Sequence, residues 1–208
     1  MTELAQMIST LMQSRQTILP KRLVAPGPDH TQLETILGAA ASAPDHGQLT
    51  PWRFVVVSEA ARPKLAEQFA RSLLERDAQA LPAQIEQAKE KAFRAPLLLL
   101  VVVDANCGDT KIDLFERIVS TGCALQNVLL MATALGYGSA LTSGKALKSS
   151  GLRQLFELQE QDHALCFLSI GTVLSRKSSR VLPELDRYLF HLTATEGIAR
   201  GNVPGGTK

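Results

Sequence analysis

The chain has 208 residues, 45% of them hydrophobic, which is enough to bury the core of one globular domain. Its formal net charge is +2, with 22 basic residues scattered among 20 acidic ones, which argues against nucleic-acid binding but is compatible with an anionic small ligand. The three cysteines form no disulfide or zinc pattern and the amino terminus lacks a signal-peptide pattern, so we expect a reducing compartment, the cytoplasm.

Two helices are predicted before the first strand. The first begins after Thr2, a candidate N-cap, and is stopped by Pro20. The second begins at Asp29, which with Gln32 resembles a capping box, and runs toward Ala43. The first helix has an apolar residue at each of five helically spaced positions: Leu4, Met7, Ile8, Leu11 and Met12.

The next elements are a strand, a helix and a polar segment. The β-branched run 54–57 predicts a buried strand, and Ser58 is a candidate cap for a helix that carries apolar residues over 65–73. Residues 77–91 are strongly polar, and the sequence leaves open whether they form an exposed helix or a mobile excursion over a site entrance.

The second half of the chain contains the most apolar segments. Residues 97–103 show no polar alternation and predict a central strand, far too short to span a membrane. Residues 112–135 are apolar at nearly every helical position, so this helix either runs through the centre of the protomer or partly faces a second subunit. Residues 165–170 predict a last strand, broken by Gly171 and Thr172.

These elements do not alternate strictly as βαβ units, which predicts an α+β fold. We expect a single domain over residues 1–192, followed by a flexible tail over residues 193–208, which are rich in Gly and Thr and lack apolar periodicity.

Two local motifs stand beside strand or helix ends. In the block Ala43-Pro44-Asp45-His46 and Pro51-Trp52-Arg53-Phe54, local features alone indicate a helix-to-strand turn with a buried Trp. Gly136-Tyr137-Gly138 closes a helix instead of opening one, so it indicates a helix C-cap and not a dinucleotide fingerprint. No hydrolytic triad, HExxH motif or paired carboxylate is present, and we expect no metal site.

Four segments carry a family resemblance: Arg15-Gln16-Thr17, the block 43–54, Phe93-Arg94-Ala95-Pro96, and Leu141-Thr142-Ser143-Gly144. In this order, over roughly residues 3–190, the chain resembles the FMN-dependent nitroreductase family, most closely its compact YdjA-like branch of NAD(P)H nitroreductases. The resemblance implies a central mixed or antiparallel sheet flanked by helices, in an intertwined homodimer whose flavin sites are shared between subunits. It also implies FMN as the cofactor and NADH or NADPH as the reductant.

The resemblance further implies roles for individual residues. Arg15, Gln16 and Thr17 match phosphate and ribityl contacts, and Arg176 matches a basic residue that binds the phosphate from the carboxyl-terminal side. Ser42 and His46 match positions that reach the FMN of the partner subunit. The short strand along the flavin edge corresponds to Leu141, Thr142 and Ser143. The stretch to which an NAD(P) contact is assigned corresponds to Met131, Ala132, Thr133, Ala134, Leu135 and Gly136.

The implied reaction is ping-pong reduction of a nitroaromatic or quinone-like acceptor by NAD(P)H, with the hydride carried by flavin N5 and no catalytic side chain required. Two alternatives stay open. One is a flavoenzyme of the same fold with another reaction, such as reductive dehalogenation or flavin fragmentation, with residues 77–91 as a lid. The other is a catalytically silent flavin-binding protein, because the chain departs from the family pattern at Gln16, Leu19, Ser42 and Leu141.

Overall fold

The computed structural model describes residues 1–176, 181–193 and 197–201 of the chain. Residues 1–176 form one compact unit, and the described residues beyond them belong to a second. The strands of the first unit are β1 (Leu23–Val24), β2 (Trp52–Val56), β3 (Leu97–Asp104), β4 (Gly138–Thr142) and β5 (Asp162–Val173).

These strands form one antiparallel sheet around β3 and β5. β3 pairs with β2 and with β5, which places it in the interior as the apolar run 97–103 predicts. Residues 167–170 of β5 pair with both β3 and β4, so those two strands lie on opposite edges of β5. The short strand β1 pairs with the last residues of β5. This arrangement confirms the α+β fold with a central antiparallel sheet.

Helices cover both faces of the sheet. They are α1 (Glu3–Ser14), α2 (His30–Gly38), α3 (Arg62–Leu74), α4 (Pro82–Glu90), α5 (Leu114–Ala134) and α6 (Ser150–Leu155). Alternate residues of β3 point to opposite faces of the sheet. Leu99 and Val101 belong to a core with α2 and α5, and Leu98 and Leu100 belong to a core with α3 and α6.

Two of the three predicted helix caps are confirmed, whereas Ser58 forms no capping hydrogen bond: it precedes a 3₁₀ helix over Glu59–Ala61, and α3 begins only at Arg62. Thr2 accepts the backbone N–H of Ala5, and Asp29 forms a reciprocal capping box with Gln32. The polar segment left open by the sequence contains α4, with proline in its first turn and the Gln84 side chain accepting the Leu81 N–H at 2.8 Å. An exposed helix is therefore the correct alternative for this part of residues 77–91.

α1 ends at Ser14, well before Pro20 and with Arg15 just past its end, because Arg15 is already extended. α2 ends at Gly38 and continues as a 3₁₀ helix over Ala39–Ser42, close to the predicted end near Ala43. Two strand predictions are wrong. Within the described residues β2 pairs with β3 alone, so it is a half-buried edge strand and not a buried one. β5 continues through Gly171 to Val173, because a glycine fits against Pro96 where a Cβ would lie 2.7 Å from the ring.

The second unit contains a two-stranded antiparallel hairpin of β6 (Phe190–Thr193) and β7 (Gly197–Arg200). The predicted last strand is thus followed by two further strands. β7 falls within the residues for which a tail is predicted, and residues 194–196 and 202–208 lie outside the described part of the chain. Among the helices of the described ranges, none has the length and apolar character that crossing a membrane requires.

A buried guanidinium fixes the entry to β3. Arg62, at the start of α3, is only 5% exposed and donates to the carbonyls of Ala92 and Ala95 at 2.9 and 2.6 Å and of Pro96 at 2.9 Å. Burial lowers the pKa of this guanidinium, partly opposed by Glu59. Because the three carbonyls precede or begin β3, one side chain holds the turn between α4 and the sheet.

We expect Arg62→Met to lower the free energy of unfolding by about 2–4 kcal/mol, because three carbonyls would lose their charged donor. Urea denaturation followed by circular dichroism measures this change. Arg71→Met, which removes an exposed guanidinium from the same helix, serves as the control and should change the value by less than about 0.5 kcal/mol. Equal losses in the two variants would show that the carbonyl contacts contribute nothing.

Candidate functional site

The segment after α1 lies against the free edge of β4. Thr17 forms a parallel bridge with Ser139, and the Ile18 N–H donates to the Ser139 carbonyl at 2.9 Å. Gly138 permits this close approach, since a Cβ there would lie 3.0 Å from the Ile18 side chain and 2.6 Å from Val173 on β5. The sequence resemblance links the segments containing Arg15 and Leu141, and the fold makes them neighbours.

The strand directions determine where the candidate residues lie along this edge. The segment 15–17 runs parallel to β4, whereas β5 runs antiparallel to it. Arg15 and Arg176 therefore both lie toward the Gly138 end of β4, and Thr142 and Ser143 lie at the opposite end. The separation between the two ends is about 15 Å, at about 3.3 Å per strand residue.

The two arginines are available for an anion. Arg15 is half-buried and Arg176 is exposed, and neither guanidinium forms a hydrogen bond or ion pair with any residue that the structure describes. A guanidinium binds phosphate with two parallel hydrogen bonds and remains charged at all physiological pH values. Lys177 and Arg180, further basic residues of the segment after β5, lie outside the described residues.

Near the Gly138 end lie two buried polar atoms that have no partner among the described residues. The Gln16 Oε1 and Ser139 Oγ atoms are both buried, and neither forms a hydrogen bond in the described structure. Because buried polar atoms are nearly always paired in folded proteins, these two atoms are candidate contacts for a bound polar molecule. Both belong to the contact between the segment 15–17 and β4.

A cavity of about 510 Å³ opens at the Thr142 end of β4. Thr142 and Ser143 line it, together with aromatic and aliphatic side chains from the sheet and α3 and with one face of α4. Phe69 and Phe167 meet edge to face in this region, with ring centroids 5.5 Å apart. The cavity can hold a planar apolar group beside the two exposed hydroxyls.

Ser42 and His46 lie apart from these residues. Ser42 ends the 3₁₀ helix after α2 and is exposed. His46 lies beside the start of α5, where its Nδ1 is 2.7 Å from the Glu116 Oε2. No hydrogen bond or ion pair in residues 1–176 connects either of them to Arg15, Thr142 or Ser143.

The carboxyl-terminal end of α5 confirms the predicted helix terminator. Gly136 has φ +86°, its N–H donates to Thr133, and the Tyr137 N–H donates to the Ala132 carbonyl, a Schellman motif. Within the stretch 131–136, Ala132 is fully buried, whereas Ala134, Leu135 and Gly136 are exposed. The exposed residues leave a surface for the NAD(P) contact, which stays a prediction.

Sequence reasoning missed three sets of residues. The first is Glu116, which pairs with His46. The second is the set of four cations that line the cavity. The third is Arg117, which is buried with its guanidinium bound to the carbonyls of Cys107, Asp109 and Ile112. Burial, reinforced by Asp104, raises the pKa of the Cys107 thiol, and Arg117 opposes this effect. The only available signal for Arg117 is a lone basic residue in an otherwise apolar helix.

The comparisons with known proteins agree with this geometry. The model of the Nitroreductase family matches residues 13–172. The chain is 33% identical over 179 residues to a Haemophilus influenzae protein named "Putative NAD(P)H nitroreductase", covering 85% of this chain and 95% of that protein. It is 35% identical over 164 residues to "Putative NAD(P)H nitroreductase YdjA" of Escherichia coli, covering 77% and 86%.

Solved structures share the fold at lower identity. A nitroreductase-like protein from Bacillus cereus has a TM-score of 0.75 at 17% identity, covering 88% of this chain and 94% of that one. The FMN-dependent nitroreductase NfnB of Mycobacterium smegmatis, solved with NADPH, has a TM-score of 0.65 at 17% identity, covering 82% and 89%. Iodotyrosine deiodinase, solved with FMN and 3-iodo-L-tyrosine, has a TM-score of 0.64 at 20% identity, covering 86% of this chain and 96% of that one.

The family match covers most of the chain, and the fold and the two curated relatives lead to the same assignment. The protein therefore belongs to the nitroreductase family of oxidoreductases, and it is similar to the YdjA-like proteins of that family.

Proposed function

We propose that two copies of this chain form an FMN-dependent oxidoreductase that takes electrons from NADH or NADPH and passes them to a nitroaromatic or quinone-like acceptor. The observation that carries the proposal is the arrangement along β4, with unpaired guanidinium groups at one end and exposed hydroxyls beside a cavity at the other. The guanidinium groups correspond to the phosphate end of an extended FMN molecule, and the hydroxyls beside the cavity correspond to its ring end.

The residues present fit this cofactor. Arg15 and Arg176 would bind the phosphate, and a ribityl hydroxyl could donate to the unpaired Gln16 Oε1. In the part of the chain that the structure describes, the outer edge of β4 carries a one-residue bridge near its start, so its later backbone groups are open to the ring edge beside Thr142 and Ser143. When bound, FMN supplies a hydride-accepting ring, and the chain's own residues orient it and shield it from water.

The surface supports a homodimer. α1 has no buried residue, although it is amphipathic, and its Met7 is 63% exposed. On α5, Phe115 and Val119 are 77% and 65% exposed, and Gly122 continues the same stripe. α1 contacts α5, and a second copy would cover these exposed apolar residues. His46 lies beside this stripe, where it could reach the partner's site.

Reductive dehalogenation is the second candidate. Iodotyrosine deiodinase has the same fold, and its structure holds FMN with a halogenated aromatic ring. In this protein, α4 forms one wall of the cavity at the Thr142 end of β4, where an aromatic substrate would lie. Nitro and halide acceptors can be compared directly in the same assay.

The cofactor proposal predicts a yellow protein whose bound FMN is bleached by NADH or NADPH under anaerobic conditions and recovers its colour on addition of a nitroaromatic or quinone.

Arg15→Ala should weaken FMN binding by about 1.5–3 kcal/mol, because a charged hydrogen bond to phosphate is lost. Fluorescence titration of FMN measures this change, and Lys64→Ala on α3 is the control. A colourless protein that takes up no FMN contradicts the proposal, and bound FMN that is not bleached supports a silent flavin-binding protein.

The dimer proposal predicts that Val119→Glu yields a monomer in analytical ultracentrifugation, because a two-fold interface would bury two carboxylates in apolar surroundings. The same variant should retain less FMN, since each flavin site would lose the residues from its partner. Leu74→Glu places the same charge at a 41% exposed position on α3 and should leave the mass unchanged. A wild-type protein that sediments as a monomer would disprove the shared site.

A further inference from the structure

We infer that the cavity at the Thr142 end of β4 selects electron acceptors that carry an acidic group, such as aromatic carboxylates. The inference rests on the proposed function for the reaction itself but depends on a separate feature, the charge of the cavity wall. Four basic side chains line the cavity, and no Asp or Glu is among its described lining residues. The four are Arg76, Lys91, Arg94 and Lys145.

The charges on α4 are sorted between its two sides. Gln84, Gln87 and Ala88 face the cavity with Lys91, at helical spacing. The carboxylates of Glu86 and Glu90 instead line a surface depression on the other side of α4, where Lys89 binds Glu86 at 3.3 Å and Glu67 at 3.2 Å. These two pairs raise the pKa of Lys89. The acidic groups near the cavity are thus turned away from it.

The cations that face the cavity are mostly uncompensated. No carboxylate of the described residues lies within 4.0 Å of the Lys91 or Lys145 ammonium groups. Arg94 has only a long contact of 3.9 Å with Glu90, and Arg76 donates from Nε to the Ser72 carbonyl at 2.8 Å. In a cleft with apolar walls, charges of one sign attract an oppositely charged ligand more strongly than they would on a flat surface.

The remaining lining is suited to an aromatic ring. Phe69, Leu98 and Phe167 supply apolar surface, while Thr142 and Ser143 place the cavity beside the proposed flavin edge. An acceptor such as 4-nitrobenzoate could lay its ring on this surface and direct its carboxylate to the cations. NAD(P)H would give two electrons and a proton and the solvent a second proton, so that the nitro group becomes nitroso and one oxygen leaves as water.

The test compares 4-nitrobenzoate with neutral 4-nitrobenzyl alcohol, using the FMN-loaded protein. We expect the double variant Lys91→Gln with Arg94→Gln to lower the ratio of their kcat/KM values about tenfold, since each lost ion pair weakens binding several-fold. Lys89→Gln removes a cation from the opposite side of the same helix and should leave the ratio unchanged. Circular dichroism verifies the fold of each variant.

Equilibrium dialysis of both compounds against the oxidised protein provides a readout that needs no turnover. Preferential binding of 4-nitrobenzoate that is lost in the double variant supports the inference. If neither compound is reduced, that result counts against the proposed function alone and leaves the binding result in force. An unchanged preference in both assays overturns the inference. A second result also overturns it: the double variant slows flavin reduction by NADPH relative to NADH, but the ratio of kcat/KM values for the two acceptors is unchanged. The cations would then bind the phosphate of NADPH and not the acceptor.

Discussion

The pairing of β5 along both of its edges is the constraint on which the rest of the structure depends. Over residues 167–170 this strand holds β3 on one side and β4 on the other, so both strands are fixed in register to one backbone. A shift of one residue in either pairing would turn each side chain of the shifted strand to the opposite face. The cores on the two faces therefore require the same register that places Ser139 beside Thr17.

The same register gives the sheet two faces that pack against different helices. One face of β3 and β5 packs against α2 and α5, the helix whose exposed stripe is the proposed contact with a second copy. The other face packs against α3 and α6, and its edge opens into the cavity beside α4. β4 borders both regions, because it contacts α5 and contributes Thr142 to the cavity. A cofactor along β4 would lie where the two sides meet.

Local chemistry accounts for what the sequence predicted well. The capping box of Asp29 and Gln32, the Gly136 terminator and the uninterrupted apolar run of β3 each follow from interactions among near neighbours. The residues of the candidate site came from a family resemblance, because no local signal relates Arg15 to Ser143. The parallel bridge at Thr17, a contact between distant segments, places the segment that contains Arg15 along the strand that leads to Ser143.

What the sequence could not give depends on tertiary context. Apart from Arg53, β2 consists of β-branched and aromatic residues, like a buried strand, but among the described residues β3 covers one of its edges and nothing pairs with the other. α5 is apolar on nearly all sides, and the fold alone determines that Phe115 and Val119 remain exposed. The cavity cations come from three separate segments of the chain, around residues 76, 91–94 and 145, so no spacing in the sequence could have grouped them.

The buried Arg62 connects the stability of the fold with the charge of the cavity. Its guanidinium binds the carbonyls of Ala92 and Ala95, and these residues alternate along the chain with Lys91 and Arg94. A backbone turn held by a charged donor has little freedom to move, so the two cations project from a fixed base. Their own side chains keep rotational freedom, because neither forms a short ion pair with the described residues. A cavity wall of this kind can bind anionic groups of varied shape, because its backbone is rigid while the Lys91 and Arg94 side chains adapt to the ligand.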